Sequence, residues 1–329
     1  MGSPRRTRIR IALSLLAFTL TPAVVANSAT TLPTWTQLPT ASVVATQIAT
    51  ASSVNTLPDS LYNIYQRGAP MGLSASEIGT QKFCTSTDNP MKNPPCVFGS
   101  KSSSKVVLVV GDSEGEMWLP ALNIWGIKSN VKILRYIYFG CPPWHLPLPA
   151  SSPTWTNCSV NWHNFIEAKI NSLKPYAVIA TGMTGVTQSS ATVTSKATLT
   201  KGMKAFFTAI QSGTTRRIAL ANPPWFVTTN QSPVACAMIN HLQLTQCNGT
   251  VKNNIDETMT YALDQITSAK LATVIPVKQL FCTSTTCPVV ANGSFVYTDT
   301  HHISHDWSVN VARALASRLN PALGLPSTP

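Results

Sequence analysis

The sequence predicts a three-layer α/β/α fold around a five-stranded, mainly parallel sheet. Two observations carry that expectation. Five short apolar runs, at 106–110, 131–138, 176–181, 217–221 and 272–277, alternate with stretches of helical character. Strands that alternate with helices, rather than following one another directly, build parallel sheets covered on both faces. The first run, Val106 to Val110, is also uninterruptedly apolar and mostly β-branched, as a strand buried on both faces must be.

The helices expected between these runs span 114–127, 160–172, 197–212 and 251–270, and a last one, 306–319, closes the domain. In that closing helix Val309, Ala312, Leu315, Ala316 and Leu319 recur at i, i+3, i+4 spacing, which places one face on a core. Open parallel sheets bind ligands beyond the carboxyl ends of their strands. The residues that follow Val110 therefore lie where a site belongs.

The N-terminus points to export. "MGSPRRTRIR" supplies four arginines, residues 11–26 are an apolar run containing Pro22, and "VVANSA" offers small residues for cleavage. This is the order of a secretory signal, 1–26, and the run is short for a retained span of roughly 20 residues. Residues 27–80, rich in Thr, Ser, Ala and Pro, read as an arm or linker, and the regular domain as 81–329. Loss of the four arginines takes the formal charge from +12 to +8, and the remaining cations are scattered. No basic helix or arginine–aromatic ladder suits nucleic acid, so none is expected as a partner.

Eight cysteines in an exported chain read as disulfides. They fall into near couples: Cys84 with Cys96, Cys141 with Cys158, Cys236 with Cys247, and Cys282 with Cys287. Neighbour pairing is the expectation, although eight cysteines allow many pairings. No CxxC pair occurs, which disfavours zinc.

Chemistry concentrates at two places. Gly111-Asp112-Ser113-Glu114-Gly115 follows the first strand and satisfies G-x-S-x-G, the nucleophile elbow of α/β-hydrolases. The plainer alternative is a turn and helix cap, which Asp and Ser also favour. Near the other end, "YTDTHHISHDW" places Asp299 three residues before His302. A histidine base needs a carboxylate to fix its tautomer, and one short loop supplies both. His301 and His305 read as exposed loop or helix-start residues and Asp306 as the cap of the last helix. A metal cluster of Asp299, His301, His302 and His305 is the weaker alternative, and no metal or cofactor is expected.

The order of these parts discriminates. In α/β-hydrolases several strands precede the elbow, and the acid and histidine come from separate loops. Here no comparably strong strand precedes Val106, and Asp299 and His302 share a loop.

Four blocks together resemble the SGNH (GDSL-type) hydrolase superfamily. They are "VVLVVGDSEGEMWLPAL" (106–122), "GCPPW" (140–144) with "CSVNWHNFI" (158–166), "LKPYAVIATG" (173–182) and "DTHHIS" (299–304). They are most similar to the SGNH domains associated with membrane acyltransferase-3 proteins that O-acylate polysaccharides. The resemblance covers about residues 81 to 320 and implies the SGNH, flavodoxin-like form of the fold, with loops tied by disulfides. It puts the nucleophile at Ser113 and the acid–base pair at Asp299 and His302. It puts oxyanion donors at the Ser113 and Gly140 N–H groups. The third block is normally GxN, and here it reads Gly182-Met183-Thr184, so Thr184 stands where an asparagine is usual. The residue after the serine, often histidine in the polysaccharide-modifying relatives, is Glu114.

The implied function is serine-dependent acyl transfer or ester hydrolysis on cell-envelope carbohydrate outside the cytoplasm. Its substrates are a carbohydrate or small acyl ester, and its partner a membrane acyltransferase-3 protein that supplies acyl groups. Trp118 and Trp125, seven apart on one expected helix, read as core. Trp144 and Trp225 sit beside Pro142-Pro143 and Pro223-Pro224 in loops after strands and are the expected substrate-binding aromatics. The alternatives are an envelope carbohydrate-binding module that keeps the fold without turnover, and an α/β-hydrolase esterase that uses the GDSEG elbow.

Overall fold

Strand β2 (Val106–Gly111) is the axis of the sheet: it pairs in parallel with β3 (Lys132–Ile137) on one side and with β4 (Ala177–Ala180) on the other. The series continues in parallel through β5 (Arg217–Leu220) to β6 (Thr273–Ile275). These are the five expected strands. A sixth, β1 (Cys96–Gly99), pairs antiparallel with β3 at the edge, so the order is β1-β3-β2-β4-β5-β6 and the expected count is corrected by one. The computed structural model describes residues 32–65, 70–85, 87–147, 157–184, 194–226, 232–251 and 254–327. The expected signal peptide lies outside these residues.

Both faces of the sheet are covered, which is why β2 carries no polar side chain. Leu108 and Val110 enter an apolar cluster with α6 (His163–Leu173), α7 (Lys196–Ala209) and α9 (Asn254–Ser268). The intervening Val107 and Val109 are equally buried and, by the period of a strand, face the opposite layer. That layer holds α5 (Leu119–Lys128), α10 (His305–Asn310) and α11 (Ala312–Leu323). Trp125 reaches across it, donating its Nε1 hydrogen to Asn320 Oδ1 at 2.7 Å, and Trp118 is buried as expected.

Two expected helices are each broken in two. The stretch 114–127 becomes α4 (Ser113–Glu116) and α5, and Pro120 lies in the first turn of α5, where a missing N–H costs nothing. The closing helix breaks at Val311, where the backbone leaves the helical well (φ −87°, ψ 0°). Its N-cap is Ser304, whose Oγ accepts the Trp307 N–H at 3.1 Å, so the cap expected at Asp306 belongs to Ser304 instead. All four disulfides join the expected neighbours. No helix of the described residues is long and apolar enough to cross a membrane.

From Pro33 onward the expected arm is part of the same compact unit. Helix α1 (Ala41–Ala51) packs on α11, and its Val44 and Ile48 are buried. After it, the Leu57 N–H donates to the His241 carbonyl and the Leu244 N–H to that of Asn55. Further along, α2 (Asp59–Tyr65) lies against α8 (Pro233–Ile239), and α3 (Ala75–Ile78) brings Glu77 to His305, Oε2 to Nε2 at 2.8 Å. His305 is therefore not the exposed residue expected. Burial disfavours its charged form, but hydrogen bonds to the Asp306 and Glu77 carboxylates outweigh that and raise it to about 9.

Two outcomes follow for stability. Ile48→Ala should cost about 2–4 kcal/mol in denaturant unfolding, the range for truncating a core aliphatic residue, whereas a loose arm would lose almost nothing. The His305 value is raised on folding, so its contribution is complete below pH 6.5 and is lost as pH climbs through about 9. Unfolding at both pH values should show His305→Gln less stable than the parent at the lower one and nearly level with it above the higher.

Candidate active site

The parallel strands run in the order 2-1-3-4-5, and in such sheets the crevice opens at the carboxyl end of the first strand, where successive connections leave in opposite directions. Ser113 stands at that point, two residues beyond β2. Both glycines of the surrounding pattern are there for close packing. A Cβ on Gly111 would lie 2.4 Å from the Thr181 carbonyl oxygen, and one on Gly115 would lie 2.5 Å from Ile137 Cδ1. The agreement with G-x-S-x-G thus follows from how β2 and α4 approach β4 and β3.

Asp112, which the sequence marks only as a turn or cap residue, ties two loops together. Its Oδ1 accepts the Glu114 N–H and its Oδ2 the Met183 N–H, each at 2.9 Å. It is wholly buried, and burial pushes its carboxyl up to about 6 against the pull of those bonds and of His302. The clamp fixes the third block relative to Ser113. Asn222, another residue that sequence reasoning passed over, completes it from the end of β5: its Oδ1 accepts from Thr181 Oγ1, and its Nδ2 donates to the Gly182 carbonyl, both at 2.9 Å.

Both N–H groups expected as oxyanion donors are without an acceptor among the described residues. The Ser113 N–H heads α4, and among the described residues it has no protein acceptor. The Gly140 N–H has none either. Gly140 follows β3, next to β2, in a turn closed by the Cys141 N–H on the Tyr138 carbonyl at 2.9 Å, and its φ of +73° is the value a type II turn reserves for glycine. The Met183 N–H is spent on Asp112, whereas Thr184 is buried at the edge of a cavity of about 550 Å³.

The loop at 298–302 is folded around one carboxylate. Asp299 Oδ1 accepts the N–H groups of His301 and His302 at 2.9 and 2.8 Å, and its Oδ2 meets His302 Nδ1 at 2.7 Å. The three-residue spacing is what lets one aspartate hold both the backbone turn and the ring at its end. Burial works against the Asp299 charge, but the hydrogen bond and charge of His302 keep its carboxyl well below the usual range. Next to the ring, the Ile303 N–H points at Met117 Sδ, 3.4 Å away, and fastens the loop to the segment that follows Ser113.

With Nδ1 held, His302 Nε2 is buried and has no hydrogen-bond partner. The structure thus joins Asp299 to His302 and sets both beside α4, but Ser113 Oγ and His302 Nε2 are not hydrogen-bonded to each other. Glu114 lies between the two motifs. Its carboxylate is 1% exposed, neither oxygen has a hydrogen-bond partner, and Oε1 is 3.7 Å from His301 Nε2. Burial, then the charges of Asp112, Asp299 and Asp256, raise it well above the ordinary glutamate value. His301, expected to be exposed, is mostly covered. Burial and the His302 charge lower it to about 4, against the opposing pull of Asp299.

The two expected substrate-binding tryptophans part company. Trp225 stacks on His301 with ring centroids 4.4 Å apart and lines the cavity together with Thr184, Asn222 and Tyr261. The Phe226 N–H on the Thr300 carbonyl and the Tyr297 hydroxyl on the Pro224 carbonyl hold these two loops together. Trp144 is corrected. It is 1% exposed, donates Nε1 to the Met183 carbonyl at 2.8 Å and packs over Gly182, where a Cβ would meet its ring at 3.2 Å. It supports the third block from inside.

A known structure shares this fold. The periplasmic domain of a lipopolysaccharide acetyltransferase from Salmonella ser. Paratyphi A superposes with a TM-score of 0.51 at 15% identity, over 82% of this chain and 98% of that one. A family two carbohydrate esterase from Clostridium thermocellum, in complex with cellohexaose, gives 0.42 at 11% identity over 68% of this chain and 65% of its own. No curated protein sequence matches significantly. Residues 83–317 match the family model described as "SGNH domain (fused to AT3 domains)", which spans the sheet and both motifs and reaches into the last helix, and the chain belongs to that family.

Proposed function

We propose that this protein is a serine-dependent O-acyltransferase or acetylesterase acting on carbohydrate of the cell envelope. The observation that carries the reading is His302. Its Nδ1 is fixed by Asp299, its Nε2 is buried and unpartnered, and a nitrogen of its ring lies within 4.8 Å of the carboxylate of Glu114, the residue after Ser113. A ring held this way is a base with its lone pair in reserve.

In the first step Ser113 Oγ bonds to the carbonyl carbon of an acyl ester and its proton passes to His302 Nε2. The carbonyl oxygen becomes an oxyanion that takes hydrogen bonds from the Ser113 and Gly140 N–H groups, with the Thr184 hydroxyl as third donor. The carbon–oxygen bond to the leaving alcohol then breaks, His302 returns its proton to that oxygen, and Ser113 carries the acyl group. A sugar hydroxyl or water, deprotonated by the same ring, takes the acyl group and restores the serine. Asp299 stabilises the imidazolium in both halves. Apo sites often leave the serine–histidine bond unmade until substrate arrives. Trp225, at the wall of the cavity, is the aromatic face offered to a sugar.

The four disulfides support a location outside the cytoplasm. The family description supports a membrane acyltransferase-3 protein as the source of acyl groups. An aryl acetate tests the chemistry. Asp299→Asn should slow release about 10⁴-fold, and Ser113→Ala at least as much. No Ser113-dependent release at any pH between about 6 and 9 leaves the non-catalytic binding module as the reading. With a polysaccharide acceptor added, mass spectrometry separates the two enzyme classes: acyl groups on the sugar mark a transferase, and free acid alone marks an esterase.

A further inference from the structure

Three buried polar atoms without hydrogen-bond partners belong to the same few side chains: both carboxylate oxygens of Glu114, and His302 Nε2. One ligand atom each from Glu114, His301 and His302 lie within 4.8 Å of one another. Buried groups of this kind are seldom left unsatisfied, and a site that gathers several needs an explanation. Two imidazole nitrogens and a carboxylate oxygen form a donor set for a borderline divalent ion.

The outer contacts suit the same purpose. His302 Nδ1 is held by Asp299 Oδ2 at 2.7 Å, and His301 Nδ1 lies 3.2 Å from Thr300 Oγ1. A ligating histidine is normally oriented in this way, with its distal nitrogen anchored and its other nitrogen turned to the metal. Tetrahedral zinc with bonds of about 2.1 Å places its ligands about 3.4 Å apart, so no pair here has to close by more than about 1.4 Å. Trp225 stacks on His301 and limits how far that ring can swing.

We propose that Glu114, His301 and His302 bind a divalent transition-metal ion of the zinc type, and that the bound ion silences the ester chemistry by taking the lone pair of His302 Nε2. The binding follows from the side-chain cluster itself, whereas the silencing rests on the function proposed above. Nothing is oxidised or reduced. The ion exchanges coordinated water for protein ligands, and His302 can no longer accept the Ser113 proton while it is bound.

Competition of the full chain with a chromophoric zinc chelator reads the site without activity. The parent and Ser113→Ala should bind one Zn²⁺ equally, and Glu114→Gln and His301→Gln should each bind it about tenfold more weakly or worse. Zinc should stop aryl acetate cleavage by the parent, a chelator should restore it, and Glu114→Gln should stay active at a zinc concentration that silences the parent. Equal zinc affinity in the parent and both variants, or a parent that takes up no zinc at micromolar concentration, overturns the proposal. His301→Gln decides the matter if Glu114→Gln does not fold. Activity that survives in Ser113→Ala defeats the serine mechanism and leaves the zinc measurement standing.

Discussion

A single carboxylate organises the reactive edge of this molecule. Asp299 gathers two backbone N–H groups and the His302 ring, and so fixes the turn, the tautomer and the direction of the free nitrogen together. Its neighbourhood keeps it ionised, and in the proposed mechanism that charge stabilises the imidazolium. Without it the loop would lose the bonds that shape it, and the histidine would be one more buried ring. Geometry and electrostatics have the same source here.

The sheet supplies the other half. Parallel strands buried on both faces leave little freedom in register, so the end of β2 is a fixed point from which Ser113 emerges. Asp112 then passes that rigidity sideways to the third block, and Trp144 and Asn222 brace the same block from behind and beside. The aspartate achieves this with a carboxyl that burial makes costly to ionise, a strain that the two accepted N–H groups partly offset. The segment that carries Thr184, where the resemblance implies an asparagine, is thus firmly held.

What was legible in the sequence was local or strongly periodic. The five parallel strands announced themselves as apolar runs, and the Asp299–His302 pair as a spacing that one turn can satisfy. Strand β1 did not, since four residues ending in Gly99 at a sheet edge carry no pattern longer than noise. Helix α1 escaped for a similar reason: Val44, Ile48 and Ala51 form a true apolar stripe, but one diluted by threonine and alanine. Glu114 and His301 could not be paired from sequence at all. They lie nearly two hundred residues apart, and the tie between their segments is the Ile303 N–H on Met117 Sδ, a contact with no signature along the chain. Trp144 misled because a proline-flanked loop aromatic looks the same whether it faces solvent or a glycine.

The central claim is that Ser113 is a nucleophile activated by the ring Asp299 holds. Covalent labelling with a serine-directed phosphonate, followed by mapping of the modified peptide, tests it most directly. The account predicts one phosphonyl group on Ser113, with labelling that slows sharply when His302 is replaced by alanine. Modification at another residue, or labelling of Ser113 at an unchanged rate without the imidazole, would contradict it.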